Sequence, residues 1–140
     1  MIHPIKPSDN QNIIRSLWST FLLESQRNTP TTLKYIRHTF ATDMKDIYSY
    51  YSKHGTFLLT FDGPLLIGFI GMINHKLQRL AVIKDYRGRG VAIQLGQAAI
   101  RNQRYVEATV DEHNIPAYYL LIKYGFVVKK RLGCDIIIIR

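Results

Sequence analysis

Asp85-Tyr86-Arg87-Gly88-Arg89-Gly90-Val91-Ala92-Ile93-Gln94-Leu95 is the stretch that decides the fold, because it joins a strand to a helix. The apolar pattern predicts the strand over Leu77 to Ile83 and the helix over about Val91 to Gln103. Gly88 and Gly90 allow a tight turn and a close approach of the backbone to a ligand. The first amides of a helix have no intrahelical acceptor and favour an anion. The stretch therefore predicts a phosphate-binding turn, although a solvated turn before a helix also fits these residues.

Two spaced motifs connect this turn to a known family. The spacing Arg-x-x-Gly-x-Ala from Arg87 to Ala92 differs from a dinucleotide-binding loop and from a P-loop. With Leu80-Ala81-Val82 ahead of it, the pattern closely resembles the pyrophosphate-binding motif of the GNAT superfamily of acyl-CoA-dependent N-acetyltransferases. A downstream pattern, Asn-x-x-Ala-x-x-Leu-Tyr-x-Lys-x-Gly-Phe, is matched at Asn114, Ala117, Leu120, Lys123, Gly125 and Phe126. One position departs, since Leu121 stands where the family usually has a tyrosine.

The resemblance covers essentially the whole chain and implies a function. It implies that acetyl-CoA is bound and that its acetyl group is transferred to a primary amine, whether of a metabolite, a polyamine, an antibiotic or a protein terminus. It further implies that turn amides bind the pyrophosphate and that backbone groups of the fourth strand pair with pantetheine and polarise the thioester. The residues assigned to acetyl-CoA on this basis are Leu80, Ala81, Val82, Arg87, Gly88, Arg89, Gly90, Val91, Ala92, Asn114 and Ala117. The first three also fit a plain core strand.

A general base is hard to find in the sequence. Asp62 is the only carboxylate between Thr56 and Lys84 and is explained as a turn residue, so the fourth strand lacks the glutamate that some family members use. The remaining candidates are His75, Glu107, Asp111, Glu112 and His113. Glu107 is the most interesting of them, because a carboxylate in mid-strand is costly unless it is exposed or paired. A pair with an arginine is the simpler explanation of Glu107.

The general acid is also in question, because Leu121 has no proton to give. Tyr118 and Tyr124 lie three residues to either side of it on nearly the same helix face, whereas Tyr119 points away. Tyr118 is the predicted acid and Tyr124 the alternative. Both rings also fit simple core packing, with water protonating the thiolate.

Composition limits the class of protein. At 140 residues, with 46% hydrophobic and 11% aromatic content, residues 1–140 are predicted to form a single domain. Cys134 is the only cysteine, so no internal disulfide and no cysteine-rich zinc site is expected. No metal is expected as a cofactor. Without an apolar run near the ~20 residues of a membrane span or a signal sequence, a cytoplasmic protein with no membrane partner is expected. The sequence leaves open whether the protein forms a homodimer.

The formal net charge of +9 raises the question of polyanion binding. The basic residues are spread along the chain and match no nucleic-acid motif, so no specific nucleic acid is expected as a partner. Part of the excess positive charge can bind the phosphates of acetyl-CoA. Two alternatives to an enzyme remain: a catalytically idle acyl-CoA-binding sensor, and less favoured, a basic nucleic-acid-binding module.

The remaining patterns, with the resemblance, predict a mixed α/β fold: a mostly antiparallel central sheet with a parallel central strand pair and helices on both faces. Ser8 and Gln11 have the spacing of a capping box, and Asp62-Gly63 signals a hairpin turn. The other predicted elements are an edge strand within Met1 to Lys6, a helix from about Asp9 to Ser25, a polar break from Gln26 to Thr31, helical periodicity from Leu33 to Tyr51, strands at Thr56 to Phe61, Leu65 to Asn74, Tyr105 to Val110, Phe126 to Lys130 and Cys134 to Ile139, and a short helix after Asn114. The strand Tyr105 to Val110 is expected to pair in parallel with Leu77 to Ile83.

Overall fold

The computed structural model describes residues 2–25, 46–101, 103–111, 115–133 and 135–139. The strands are β1 (Ile2–Pro4), β2 (Gly55–Asp62), β3 (Leu65–Ile73), β4 (Lys76–Val82), β5 (Glu107–Asp111), β6 (Val127–Leu132) and β7 (Asp135–Ile139). The helices are α1 (Gln11–Ser25), α2 (Ile47–His54), α3 (Val91–Ile100) and α4 (Ile115–Lys123), and a 3-10 turn spans Lys84–Tyr86. The predicted break at 26–31, the helical periodicity over 33–45 and Cys134 lie outside the described residues.

The described strands form one sheet in the order β1-β2-β3-β4-β5-β7-β6. All neighbouring strands are antiparallel except β4 and β5, which are parallel. A strand that follows another through a crossover helix pairs with it in parallel, and α3 is that helix. The predicted fold class is confirmed, including the parallel pair at the centre.

Helices cover both faces of the sheet. On the first face, named the α1 side, α1 and α2 pack on β2, β3 and β4 through a core of Ile14, Leu17, Trp18, Ile47, Tyr51, Phe57, Leu59, Leu66, Phe69 and Ala81. On the opposite face, named the α3 side, α3 and α4 cover a second core of Leu58, Ile70, Met72, Leu95, Ala99, Val106, Ala108, Val110 and Phe126. The alternation of these residues along the strands divides them between the two cores.

The start of α1 differs from its prediction. The helix begins at Gln11, and the Asn10 side chain accepts a hydrogen bond from the amide of Asn12 at 3.0 Å, so Asn10 is the cap and the Ser8 capping box is wrong. The Gln11 side chain is used elsewhere: its Oε1 accepts from the Ile47 amide at 2.7 Å. Gln11 therefore joins the start of α1 to the start of α2.

The two hairpins place β4 at the centre of the sheet. Asp62 pairs with Leu65, so the first reversal is made by Gly63 (φ +59°) and Pro64, one residue later than predicted. The second reversal contains Asn74, whose φ of +54° asparagine tolerates better than most residues. Both turns are short, and the meander therefore delivers β4 directly to the turn before α3.

Candidate active site

The parallel ladder between β4 and β5 is short. Its paired residues are Lys76 with Glu107 and Leu77 with Ala108, although β4 continues to Val82 and β5 to Asp111. Beyond these pairs, the edge of β4 that faces β5 is outside the ladder. In open sheets with parallel strands, ligands bind where neighbouring strands part at their carboxyl ends. We name this opening the β4–β5 gap.

The glycine turn, Arg87–Gly90, follows the carboxyl end of β4 and borders this gap. Gly88 has a φ of +77° and Gly90 a φ of +85°, a region that disfavours residues with a Cβ. A Cβ added to either glycine would meet no atom within 4 Å, so the backbone lies open on that side. Arg87 Nε donates to Val82 O at 2.9 Å and holds the turn against the end of the strand.

The first turn of α3 presents unused amides next to the glycine turn. The amide of Gln94 bonds to Gly90 O at 3.0 Å, so the amides of Val91, Ala92 and Ile93 precede the first intrahelical bond. Free amides and the positive end of the helix dipole favour a bound anion. The glycine turn is therefore suited to an anion, and its occupation by the pyrophosphate of acetyl-CoA stays a prediction.

Aromatic rings support both arginines of the turn. The Arg89 guanidinium lies 5.0 Å from the ring centre of Tyr86, and that of Arg87 lies 6.0 Å from the ring centre of Phe21. The Tyr86 hydroxyl donates to Asp62 Oδ2 in the β2–β3 hairpin. This hydrogen bond raises the pKa of Tyr86 above its ordinary value. The turn is thus fixed on one side by β4 and on the other by the hairpin.

Strand β4 contains a bulge where its ladder with β5 stops. Gly71 pairs with Arg79 and Met72 with Leu77, so Gln78 is an extra residue. The bulge resets the alternation of the strand. Leu77 and Leu80 pack on the α3 side although three positions separate them.

The bulge residues meet a buried tyrosine of α2. The Tyr51 hydroxyl donates to Gln78 Oε1 at 3.1 Å and accepts from Arg79 Nη1 at 2.8 Å. The Arg79 guanidinium also lies 5.7 Å from the ring centre of Trp18. This cluster lies on the α1 side beside the β4–β5 gap. Sequence patterns did not reveal it, because they placed Tyr51 only in a segment of helical periodicity.

Glu107 lies at the paired end of the β4–β5 gap. Its carboxylate is 3.7 Å from Lys76 Nζ and 3.6 Å from Lys129 Nζ, and the Tyr105 hydroxyl donates to it at 3.4 Å. The side chain is 15% exposed. Its partners are thus lysines rather than the expected arginine. The pKa of Lys129 is raised, mainly by the Tyr105 hydroxyl and to a smaller extent by Glu107.

The other catalytic candidates are spread over two places. The His75 ring lies 5.0 Å from that of Tyr105, tilted by 57°, close to Glu107 and away from the glycine turn. Asp111 ends β5, whereas Glu112, His113 and the predicted ligand Asn114 lie outside the described residues.

Helix α4 carries the tyrosines proposed as acids. Tyr118, Leu121 and Tyr124 are partly buried against the α3-side core, together with Ala117. Tyr119 is 66% exposed and points away from that core, as predicted, with its ring edge-on to that of Tyr118 at 5.9 Å. The rings of Tyr118 and Tyr124 therefore do pack on the core, and a role for either hydroxyl stays a prediction.

Other surface features lie away from this region. A cavity of about 460 Å³ at the far end of α3 is lined by Gln97, Ile100, Arg101, Gln103, Arg104 and Val106, none of which belongs to the glycine turn. In the described ranges, no three His, Cys, Asp or Glu side chains are grouped as metal ligands would be. No helix within those ranges has the length and apolar character needed to cross a bilayer.

Comparison with known proteins agrees with this architecture. The acetyltransferase (GNAT) domain family matches residues 23–135, and the chain belongs to that family. Over its full length the fold is similar to the PaiA N-acetyltransferase of Thermoplasma acidophilum, solved in complex with coenzyme A, with 20% identity, a TM-score of 0.80 and 98% of that chain covered.

Two further solved structures share the fold over the whole of this chain. A GNAT-family acetyltransferase from Staphylococcus aureus Mu50 is 22% identical, with a TM-score of 0.73 and 98% of that chain covered. Ard1 from Thermoplasma volcanium is 18% identical, with a TM-score of 0.69 and 95% of that chain covered. No curated protein sequence matches the chain. Membership of the family supports acetyl transfer in general terms, and the acceptor is left to proposal.

Proposed function

We propose that this protein is a cytoplasmic N-acetyltransferase that moves the acetyl group of acetyl-CoA to a primary amine. The observation that carries the proposal is the open glycine turn at the carboxyl end of β4, beside a strand pair whose ladder stops after Leu77 and Ala108. This combination offers an anion site at one end and unpaired strand edges along the gap. A phosphate-bearing ligand with a linear, hydrogen-bonding arm fits both.

The binding residues divide by the part of the ligand they would hold. Amides from Gly88 to Ile93 and the charges of Arg87 and Arg89 would bind the pyrophosphate. Backbone groups of Leu80 to Val82 would pair with the pantetheine arm, as an added strand pairs with a sheet edge. When bound, acetyl-CoA supplies a thioester, an acyl group already activated for attack by an amine. The protein's contribution is then largely positioning and polarisation of the carbonyl.

Acetyl transfer forms one C–N bond and breaks one C–S bond, so two protons must move. The attacking nitrogen loses a proton, and the departing thiolate gains one. Tyr118 is our candidate for the donor, with Tyr124 as the alternative. Glu107 is the carboxylate candidate for the acceptor, although Lys76 and Lys129 already neutralise it. If the amine arrives neutral, having lost one proton to water, the proton that its nitrogen loses after attack could pass to the departing thiolate, and no separate base would then be needed.

One alternative rests on a specific observation. Leu121 packs on the core at the family's tyrosine position, and β4 has no carboxylate. A protein with these features can bind acyl-CoA without turning it over and act as a sensor.

The test is thiol release from acetyl-CoA across a panel of polyamines, aminoglycosides, amino acids and peptides with free N termini, alongside thermal unfolding. Binding at a hundredfold excess over Kd should stabilise the fold by about 2.7 kcal/mol. Stabilisation with amine-dependent thiol release supports the enzyme, and stabilisation without release on any amine supports the sensor. An unfolding temperature that acetyl-CoA does not change contradicts both.

A further inference from the structure

Tyr51 occupies a special place next to the proposed reaction centre. Its side chain is 1% exposed, and its hydroxyl bonds to both residues that the β4 bulge turns toward the α1 side, Gln78 and Arg79. A phenol can donate one hydrogen bond and accept another, and Tyr51 does both here. The Tyr51 oxygen thus bonds to both bulge residues, which are also joined directly because Arg79 Nη1 donates to Gln78 Oε1 at 3.3 Å.

The neighbouring strand is shaped to admit this ring. A Cβ at Gly71 would lie 2.6 Å from the Tyr51 hydroxyl oxygen, closer than any side chain could tolerate. Gly71 is also the residue of β3 that pairs with Arg79, opposite the bulge. The missing side chain of Gly71 therefore lets the Tyr51 hydroxyl reach the bulge across the surface of β3.

The bulge itself lies where β4 leaves its ladder with β5. Leu77 is the last residue of β4 paired with β5, and Gln78 follows it. A bulge redirects the backbone groups of its strand, and here it does so at the edge that borders the β4–β5 gap. Small shifts of an amide that polarises a carbonyl cost rate, because the donor must point at the position where charge develops.

We propose that Tyr51 is a positioning residue for acetyl transfer, holding the β4 bulge through Gln78 and Arg79 so that backbone amides at the bulge point at the thioester carbonyl. This inference rests on the proposed function. Tyr51 itself touches neither substrate.

Tyr51→Phe tests the inference by removing one oxygen and leaving the ring. With the bulge loosened, kcat should fall about tenfold while calorimetric affinity for CoA stays within about twofold, since the glycine turn is untouched. The carbonyl stretch of bound ¹³C-labelled acetyl-CoA should move toward its frequency in water. Tyr50→Phe is the matched control, because Tyr50 packs edge-on against Tyr51 in the same helix and should leave both readouts unchanged.

A second variant tests whether Tyr51 acts through the bulge. Gln78→Met removes the group that accepts the hydrogen bond of the Tyr51 hydroxyl. Because Gln78 is exposed, the substitution should leave the fold intact. If the two residues act as a unit, the double variant should lose no more kcat than the more impaired single variant, whereas independent effects would multiply.

The outcomes separate this inference from the function it rests on. Parental kcat and an unshifted carbonyl stretch in Tyr51→Phe would overturn the positioning role while leaving the enzyme assignment intact. Multiplicative losses in the double variant would overturn it as well. If the parental protein neither binds acetyl-CoA nor releases thiol from it, the proposed function is contradicted, and this inference is contradicted with it.

Discussion

The Tyr86 hydroxyl donates a hydrogen bond to Asp62 Oδ2, and this contact joins the turn before α3 to the β2–β3 hairpin. The two residues are far apart in sequence but border the same end of β4. Arg89 lies over the Tyr86 ring, so the ring also orients a cation of the glycine turn. The hairpin therefore helps to set the geometry of the proposed pyrophosphate site.

The titration of Tyr86 should report this contact. Its folded pKa lies above the ordinary value of 10.0 because the hydrogen bond retains the proton. A raised folded pKa gives a stabilising contribution that is complete below the unfolded pKa and is lost as pH rises through the folded pKa. Subtracting the tyrosinate absorbance of Tyr86→Phe from that of the parent should give a midpoint above 10.0, which Asp62→Asn moves back toward that value. A midpoint at or below 10.0 in the parent would contradict the contact.

Gly90→Val should abolish acetyl-CoA binding. The new side chain would occupy the open side of the turn, and its positive φ costs about 1–2 kcal/mol in folding stability. Gly133→Val is a matched control, since Gly133 also has a positive φ of +61° and open space around it but lies in the β6–β7 turn. Both variants should melt at lower temperature, and only Gly90→Val should lose the ligand-induced shift. Unchanged calorimetric affinity in Gly90→Val would remove the glycine turn from the binding site.

Tyr118→Phe should lower kcat by about 100-fold if its hydroxyl protonates the thiolate, with acetyl-CoA affinity nearly intact. The neighbouring Tyr119→Phe is the control: it keeps the ring that contacts Tyr118 and removes only a hydroxyl from a side chain that is 66% exposed, so it should have no effect. A large loss in Tyr124→Phe instead would transfer the role to Tyr124. Parental rates in both Tyr118→Phe and Tyr124→Phe would mean that water supplies the proton.

Glu107→Gln should distinguish an ion-pair role from base catalysis. Because Lys76 is 60% and Lys129 is 47% exposed, loss of these pairs should cost at most about 1 kcal/mol of unfolding free energy. We expect kcat to stay within about twofold of the parent at saturating amine. A fall of tenfold or more, greatest at low pH where amines arrive protonated, would assign the base to Glu107.

Much of the fold could be predicted because its signals are local. The strand, glycine turn and helix around Gly90 follow from residues adjacent in sequence, and the exposure of Tyr119 follows from helical spacing. The family resemblance then supplied the fold class, a mostly antiparallel sheet with one parallel pair. These inferences needed no knowledge of distant contacts.

The features that were missed depend on distant pairing. Nothing near Gln78 indicates a bulge, because the bulge exists only as a mismatch between β3 and β4. Asn10 replaced Ser8 as the cap of α1 because Gln11 is held by the start of α2. The partners of Glu107 come from two other strands. The mid-strand position of Glu107 indicated that burying its carboxylate would be costly, but spacing along the chain could not show which cations offset that cost.

The short β4–β5 ladder also affects how the molecule opens. The sheet consists of a block β1–β4 and a block β5–β7. The α1-side core, as far as the described chain reaches, draws only on the first, whereas the α3-side core draws on both. Segments joined by few hydrogen bonds exchange their amide protons with separate opening free energies. A ligand lying between the blocks would bond to one and contact the other. Bound acetyl-CoA should therefore slow amide exchange in both blocks, which would then open as one cooperative unit instead of two.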